Sequence, residues 1–513
     1  MTTRRVIINT LTGGGSRFIG LLIGFITTPL LVHDLGDGGF GLFVLVGAIV
    51  GYVGLLDFGI GPGLVRFFTE YDQKADARGV DQVISLATTF YLLMGLIVGS
   101  GLFLCTPWLI GRLTISPSMR QTAETSIFIV FGYFILSCMV GVLTARLVSL
   151  HRMDVTSFIR VLGQIVYAGL IVGVLPRFPT VETAILLNIA QLAVTGALSL
   201  IVLCRIGPVR LCNPLSIPPA LVRKVAGFGG WMQINSLASL VTNQTDKIIV
   251  AAFISIQAVT PYQIGNRLGS LGDILPTQLL GAAMPNATVL SIADDPQALK
   301  RFYSDMTRYV MLLTVPVVGG IAAIADPFIV AWMGRSFPDA VFVGVGLAVT
   351  AGISYLGGVG TTVLRAAGQP KYEAYCAIVG TVLNIAITIA LAPKFGIRGI
   401  VAGTFLAELI YSICFLTVFH RRYRFGWWQT VGTWLWRLLG ATMLSAGSVE
   451  ILRHFVWPDP VNRFEAMLQI SVYGAIFSVV FLVAVTALGF WTKADRDAAG
   501  KVLKRFRPIR SPA

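Results

Sequence analysis

The sequence predicts an all-α polytopic membrane protein of about fourteen transmembrane helices, and three observations carry that prediction. Of the 513 residues, 55% are hydrophobic and only 12% are charged, about half the roughly 25% of a soluble domain. Apolar stretches of about 20 residues, enough to cross a bilayer, recur along the whole chain. Between them the charges cluster in short segments, and the basic ones alternate from loop to loop.

The first apolar run, 14–33, follows Arg4 and Arg5 and the glycines Gly13, Gly14 and Gly15. Its start is like a signal peptide, but Pro29 to Asp34 offers no small-residue cleavage site. An uncleaved first helix is expected. Further spans are expected at 40–62, 83–104, 125–146, 158–175 and 183–204, then at 226–253, 257–285, 306–325, 341–364, 372–392 and 397–419, and finally at 433–452 and 467–490. An even count puts both termini on one side, and the loops test this independently. With the termini in the cytoplasm, 27 of the 39 Lys and Arg residues lie in cytoplasmic segments, seven of them between Lys493 and Arg510. The other side receives eight, namely Arg112, Arg120, Arg177, Arg335, Lys394, Arg398, Arg453 and Arg463. That bias is what the positive-inside rule requires.

An internal echo accompanies the spans. Gly163 to Tyr167 and Leu175 to Phe178 line up with Gly380 to Asn384 and Ala392 to Phe395, 217 residues later. Upstream, Arg146 is set opposite Arg365 with a two-residue gap. Spans four and five thereby match spans ten and eleven in the same orientation, a parallel repeat of the kind that builds transporter halves.

The net charge of +15 would suit nucleic acid in a soluble protein, but basic residues beside apolar spans report orientation instead. The six cysteines have no metal-ligand or redox spacing. The one Gly-Lys pair, Gly500-Lys501, is followed by Val502, so no Walker A loop exists. The four histidines form no catalytic motif, and no extramembrane segment exceeds about 25 residues on this span reading. Neither an enzyme nor a bound cofactor is expected.

Ionisable groups at membrane depth are costly and mark polar cavities or partners. The candidates are Arg17, Asp57, Asp246, Lys247, Arg267, Asp273 and Glu408. Arg267 falls near the middle of the eighth span and suits a cavity, whereas Arg17 lines a cavity or snorkels to the interface. Asp246 and Lys247 are about 100° apart on a helix and face different ways. Asp57 precedes a Gly- and Pro-rich break, where it gates, binds an ion or caps a helix segment. Glu408 carries a coupling ion or pairs with a neighbouring helix.

Several of these residues sit in recognisable contexts. The stretch Leu35 to Phe43, then Leu55 to Ile60 and Arg66, resembles the N-terminal signature of the polysaccharide and O-antigen flippase family (Wzx-type). Thr245 to Val250, Tyr262 to Leu268, Arg365 to Pro370 and Pro393 to Gly399 are similar to its second half. The resemblance covers roughly residues 5–420 and places the chain in the multidrug/oligosaccharidyl-lipid/polysaccharide exporter superfamily. It implies two six-helix lobes, 1–220 and 221–425, around a central cavity, with two further helices and a basic tail in 426–513. It also implies a lipid-linked oligosaccharide as cargo, crossing the inner membrane of a bacterium for surface polysaccharide or lipopolysaccharide synthesis. A glycan polymerase or other assembly protein and membrane lipids would be the partners. Cavity cations, here Arg17, Arg267 and Lys247, would meet the pyrophosphate. Asp57, Asp246, Asp273 or Glu408 would couple an ion or gate the path. A multidrug or toxin extruder or a lipid II flippase of the same superfamily is the alternative. An integral glycan polymerase or ligase is the reading from another class.

Overall fold

The computed structural model describes residues 3–54, 60–206, 211–213, 217–219, 221–223, 225, 244–293, 295–460, 462–492 and 495. The side chains of 3–14, Arg17 and a few isolated positions are not described. Helices occupy nearly all of this chain, and the described residues hold no strand. In order they are α1 (Thr3–Gly54), α2 (Ile60–Gln73), α3 (Ala77–Arg112), α4 (Arg120–Ser149), α5 (Met153–Gly173) and α6 (Val181–Ile206). Helix α7 covers 244–253. It is followed by α8 (Val259–Gly269), α9 (Ile274–Ile292), α10 (Pro296–Met333), α11 (Pro338–Ala366), α12 (Lys371–Tyr423), α13 (Thr433–Phe455) and α14 (Arg463–Ala487).

Among the described residues nine helices are long and apolar enough to cross a membrane. Two of them, α1 and α12, each contain a break at a glycine. Gly36 (φ 69, ψ 173) divides α1 between the first and second expected spans, and Gly396 (φ 58, ψ −139) divides α12 between the eleventh and twelfth. Both conformations need positive φ, which glycine adopts without a Cβ penalty. The eighth expected span is also divided, by a short 3₁₀ turn, Ser270–Asp273, between α8 and α9. Most of the seventh expected span, 226–243, lies outside the described residues.

Local chemistry sets the helix ends. Asp76 accepts from the Gly79 amide at 2.9 Å to cap α3. Asp295 accepts from the Gln297 and Ala298 amides ahead of Pro296 in the first turn of α10, and Asn462 accepts from the Glu465 amide at the start of α14. Each cap satisfies amides that the helix itself leaves open.

The internal repeat has a structural counterpart. The His151 amide donates to Val148 O and the Arg152 amide to Leu147 O; 217 residues on, Gly368 donates to Arg365 O and Gln369 to Leu364 O. His151 and Gly368 both take positive φ, 59° and 69°, the usual left-handed helix stop. The shared turn sets Val148, not Arg146, opposite Arg365, so the two-residue gap expected from sequence is unnecessary. Gly163 and Gly380, the paired glycines of the repeat, each press on the following helical segment: Gly163 on Gln191 and Thr195 of α6, and Gly380 on Tyr411 in the second segment of α12.

The chain forms two compact units, Met1–Thr260 with Ala392–Gly396, and Pro261–Leu391 with Ile397–Ala513. In the first, α4 packs on α2, α3 and α6, and α5 on α1 and α6. In the second, α10 is the hub, touching α9, α11, α13 and α14.

Candidate functional site

The charged residues singled out above divide between places the structure describes and places it does not. Asp57 lies outside the described residues, as does the side chain of Arg17, whose backbone is part of α1. In the first unit, Asp246 and Lys247 sit on α7, which Tyr52 of α1 holds through a hydrogen bond to Thr245. Asp246 is 5% exposed. Lys247 is half-buried and donates back one turn to Gln244 Oε1 at 2.9 Å. Adjacent helical positions thus keep the two charges on different faces.

In the second unit the remaining three gather around α8, α9, α11 and α12. Gly265 and Gly269 of α8 press on the start of α11: a Cβ at Gly265 would lie 2.4 Å from Ala340 O, and one at Gly269 3.1 Å from Gly344 O. This is the close approach that small residues four apart allow in membranes. Arg267 stands two residues from either glycine, about 200° around the helix. It therefore projects from the face opposite α11, half-buried, in the last turn before the 3₁₀ break. Asp273 lies at the other end of that break, at the start of α9.

Helix α11 supplies what the sequence reading missed. Tyr355 Oη donates to Asp273 Oδ1 at 3.1 Å and shares a hydrogen bond with Thr277 Oγ1 at 2.9 Å. Ser354, the neighbouring residue, lies near Glu408 of α12, and Ser412 donates to Glu408 Oε1 at 3.3 Å. One residue of α11 thus holds the Asp273 carboxylate, and its neighbour stands beside the Glu408 carboxylate of α12. Glycines make this possible. A Cβ at Gly357 or Gly360 would lie 3.1 Å from Phe415 of α12, and one at Gly358 2.8 Å from Leu280 of α9. Ser354-Tyr355, one residue ahead of Gly357-Gly358, was the available signal, but hydroxyls are unremarkable in a membrane helix until their partners are known.

Chemically, the cluster offers one guanidinium at a helix break and two carboxylates with neutral hydroxyl partners. The first suits an anion, and the others suit a proton or a small cation. Of the seven charged candidates, those described divide between the units, Asp246 and Lys247 in the first and Arg267, Asp273 and Glu408 in the second.

The sequence profile of the polysaccharide biosynthesis protein family matches residues 6–287, more than half of the chain. The chain belongs to that family. Among the family's neighbours, the "Probable flippase AglR" of Haloferax volcanii is 24% identical over 408 residues, 78% of this chain and 80% of that protein. A Yersinia pseudotuberculosis protein named for O-antigen export is 24% identical over 62% of this chain and 70% of its own length. In fold, the family member is similar to the lipid II flippase MurJ in an inward closed conformation, with TM-score 0.70 and 12% identity over 94% of this chain and 98% of that one. It is also similar to an inward-facing multidrug MATE transporter of the MOP superfamily, with TM-score 0.68 and 15% identity over 79% and 94%. The architecture is that of a polytopic transporter.

Proposed function

We propose that this chain is a flippase for a lipid-linked oligosaccharide. It moves an undecaprenyl-pyrophosphate-linked glycan from the cytoplasmic to the periplasmic leaflet of a bacterial inner membrane, with both termini cytoplasmic. The two repeat-related lobes act by alternating access, as a transporter and not as an enzyme, and a glycan polymerase receives the product.

The observation that carries this reading is family membership over more than half the chain, joined to relatives named as flippases and as an O-antigen exporter. Arg267 supplies the chemistry. A guanidinium on the helix face turned away from α11 suits a pyrophosphate, the charged part of such a cargo. Arg17 and Lys247 are proposed to serve the same anion. Asp273, held by the Tyr355 hydroxyl, and Glu408, held by the Ser412 hydroxyl, are the proposed coupling-ion sites, with Asp57 and Asp246 as further gating positions.

The test is mass spectrometry of polyprenyl-linked glycans in a deletion strain, paired with surface-polysaccharide staining. Accumulated lipid-linked glycan with lost surface polymer is expected. Unchanged pools with intact surface glycan would overturn the reading. The MATE likeness favours one second reading, a drug extruder, and raised drug susceptibility in the same strain would select it.

A further inference from the structure

A cavity of about 460 Å³ lies where α12 ends, lined by Ile413, Leu416, Thr417, His420, Arg421 and Trp427. Its walls are almost entirely apolar, and its size is within the range of small-ligand sites. Positions 413, 416, 417, 420 and 421 form a single face of α12, and Trp427 closes the cavity from the segment beyond. The walls are held in place. Arg424 takes a left-handed conformation (φ 53) and its amide donates to His420 O, as does the Phe425 amide at 3.1 Å. The His420 ring, 8% exposed, lies between Phe425 O at 2.9 Å and Tyr303 Oη at 3.1 Å. A chain reversal pinned at this many points leaves a preformed cavity.

We propose that this cavity is a binding site for an anionic phospholipid of the leaflet on that side, with an acyl chain beside Trp427 and the phosphate on Arg421. The occupant follows from the surroundings. Leu406, Ile410 and Ile413 are 41%, 43% and 59% exposed and form, with exposed Thr417, one stripe along α12. From 406 to 417 that stripe rises about 16 Å at 1.5 Å per residue, close to half of the roughly 30 Å hydrocarbon core. An acyl chain leaving the cavity therefore has one leaflet's length of apolar helix to follow. Trp427 and Trp428, 38% and 67% exposed, mark the interface where indole rings settle.

Charge selects the headgroup. Between Glu408 and Glu450 the sequence has no acidic residue, but it has Arg421, Arg422, Arg424 and Arg437. Clustered arginines at a membrane surface attract anionic lipids, and a planar guanidinium takes a phosphate through paired hydrogen bonds. Arg421 lines the cavity. The site rests on the membrane placement of α12 and not on the identity of the cargo.

The test is native mass spectrometry of the full-length protein in detergent, titrated separately with phosphatidylglycerol and phosphatidylcholine. Phosphatidylglycerol should be retained in preference. Arg421→Gln should weaken its binding about tenfold, as loss of a charge-assisted contact does, and Thr417→Trp, filling the cavity from an exposed face, should abolish it. Melting curves supply a second readout: phosphatidylglycerol should raise the wild-type midpoint and leave that of both variants unchanged. Equal retention of the two lipids, unchanged binding by both variants, or displacement by equimolar undecaprenyl phosphate would overturn the proposal. Binding is read without transport, so its failure leaves the flippase reading intact, and failed export leaves the lipid site intact.

Discussion

The two sides of α10 in the second unit hold their charges differently. Toward α13 and α14, Met311 and Val315 meet Trp434, Leu438, Tyr473, Phe477 and Phe481 in one buried cluster. Gly319 lets Phe477 come so close that a Cβ there would lie 3.2 Å from its ring. Ion pairs bind this side at both ends. Arg308 meets Asp495 at 2.9 Å with 7% and 8% of the side chains exposed, and Arg453 meets Asp326 at 2.8 Å. On the other side, Tyr303 packs with Phe415, Phe419 and Phe425 in a second buried cluster, α8, α9, α11 and α12 approach through glycines, and among the described residues Asp273 and Glu408 have hydroxyl partners in place of cations. Lipid is as apolar as a leucine core, so membrane helices hold together by close packing and polar contacts. Ion pairs at both ends make the α13 and α14 side a rigid flank. Glycine contacts with neutral partners for half-buried acids leave room for charge and position to change.

That contrast sets which variants lose transport and which lose stability. Arg267→Ala should abolish glycan export while the protein keeps its membrane level and melting temperature; normal export would remove Arg267 from the mechanism. Glu408→Gln should cut export roughly tenfold or more, the effect of losing about 1.4 kcal/mol of differential ion binding, again at wild-type stability. A fall in melting temperature as large as that of a core variant would erase the distinction between the flanks. On the opposite flank, Phe477→Ala should cost roughly 3 kcal/mol of stability, read by thermal denaturation in detergent, with export per folded molecule retained.

The smallest effect belongs to the ion-pair end. Burial works against the Asp495 carboxylate, but the Thr492 hydroxyl, the Tyr309 hydroxyl, the Thr492 amide and Arg308 outweigh it and hold the carboxyl below the ordinary aspartate range. A depressed folded-state value contributes stability above the unfolded value and loses it as pH falls through the folded one. Asp495→Asn should therefore cost about 2 kcal/mol at neutral pH, and its gap from wild type should close as pH falls below about 4. A gap that persisted in acid would detach the clamp from the Asp495 charge.

Much of this contrast could not be read along the chain. Arg267 and Glu408 stand out because a charge within an apolar run is visible in one dimension. Tyr355 does not, because a hydroxyl in a membrane helix becomes informative only when its partner, here Asp273, is brought beside it from another helix. The repeat shows the same limit. Its 217-residue offset is legible from Gly163 and Gly380, but the register upstream depended on backbone hydrogen bonds at His151 and Gly368. Asp57 and the side chain of Arg17 stay with the sequence argument alone.

By itself the sequence determined the membrane class, the recurrence of apolar spans and the presence of charge within them. Each depends on composition within a window of about 20 residues, which is the scale on which a bilayer selects. Only the tertiary structure decided which carboxylates share α11, which face of α8 Arg267 takes, and that α13 and α14 brace α10. Those outcomes depend on glycine positions that let particular helices meet, and such contacts join residues far apart in the chain.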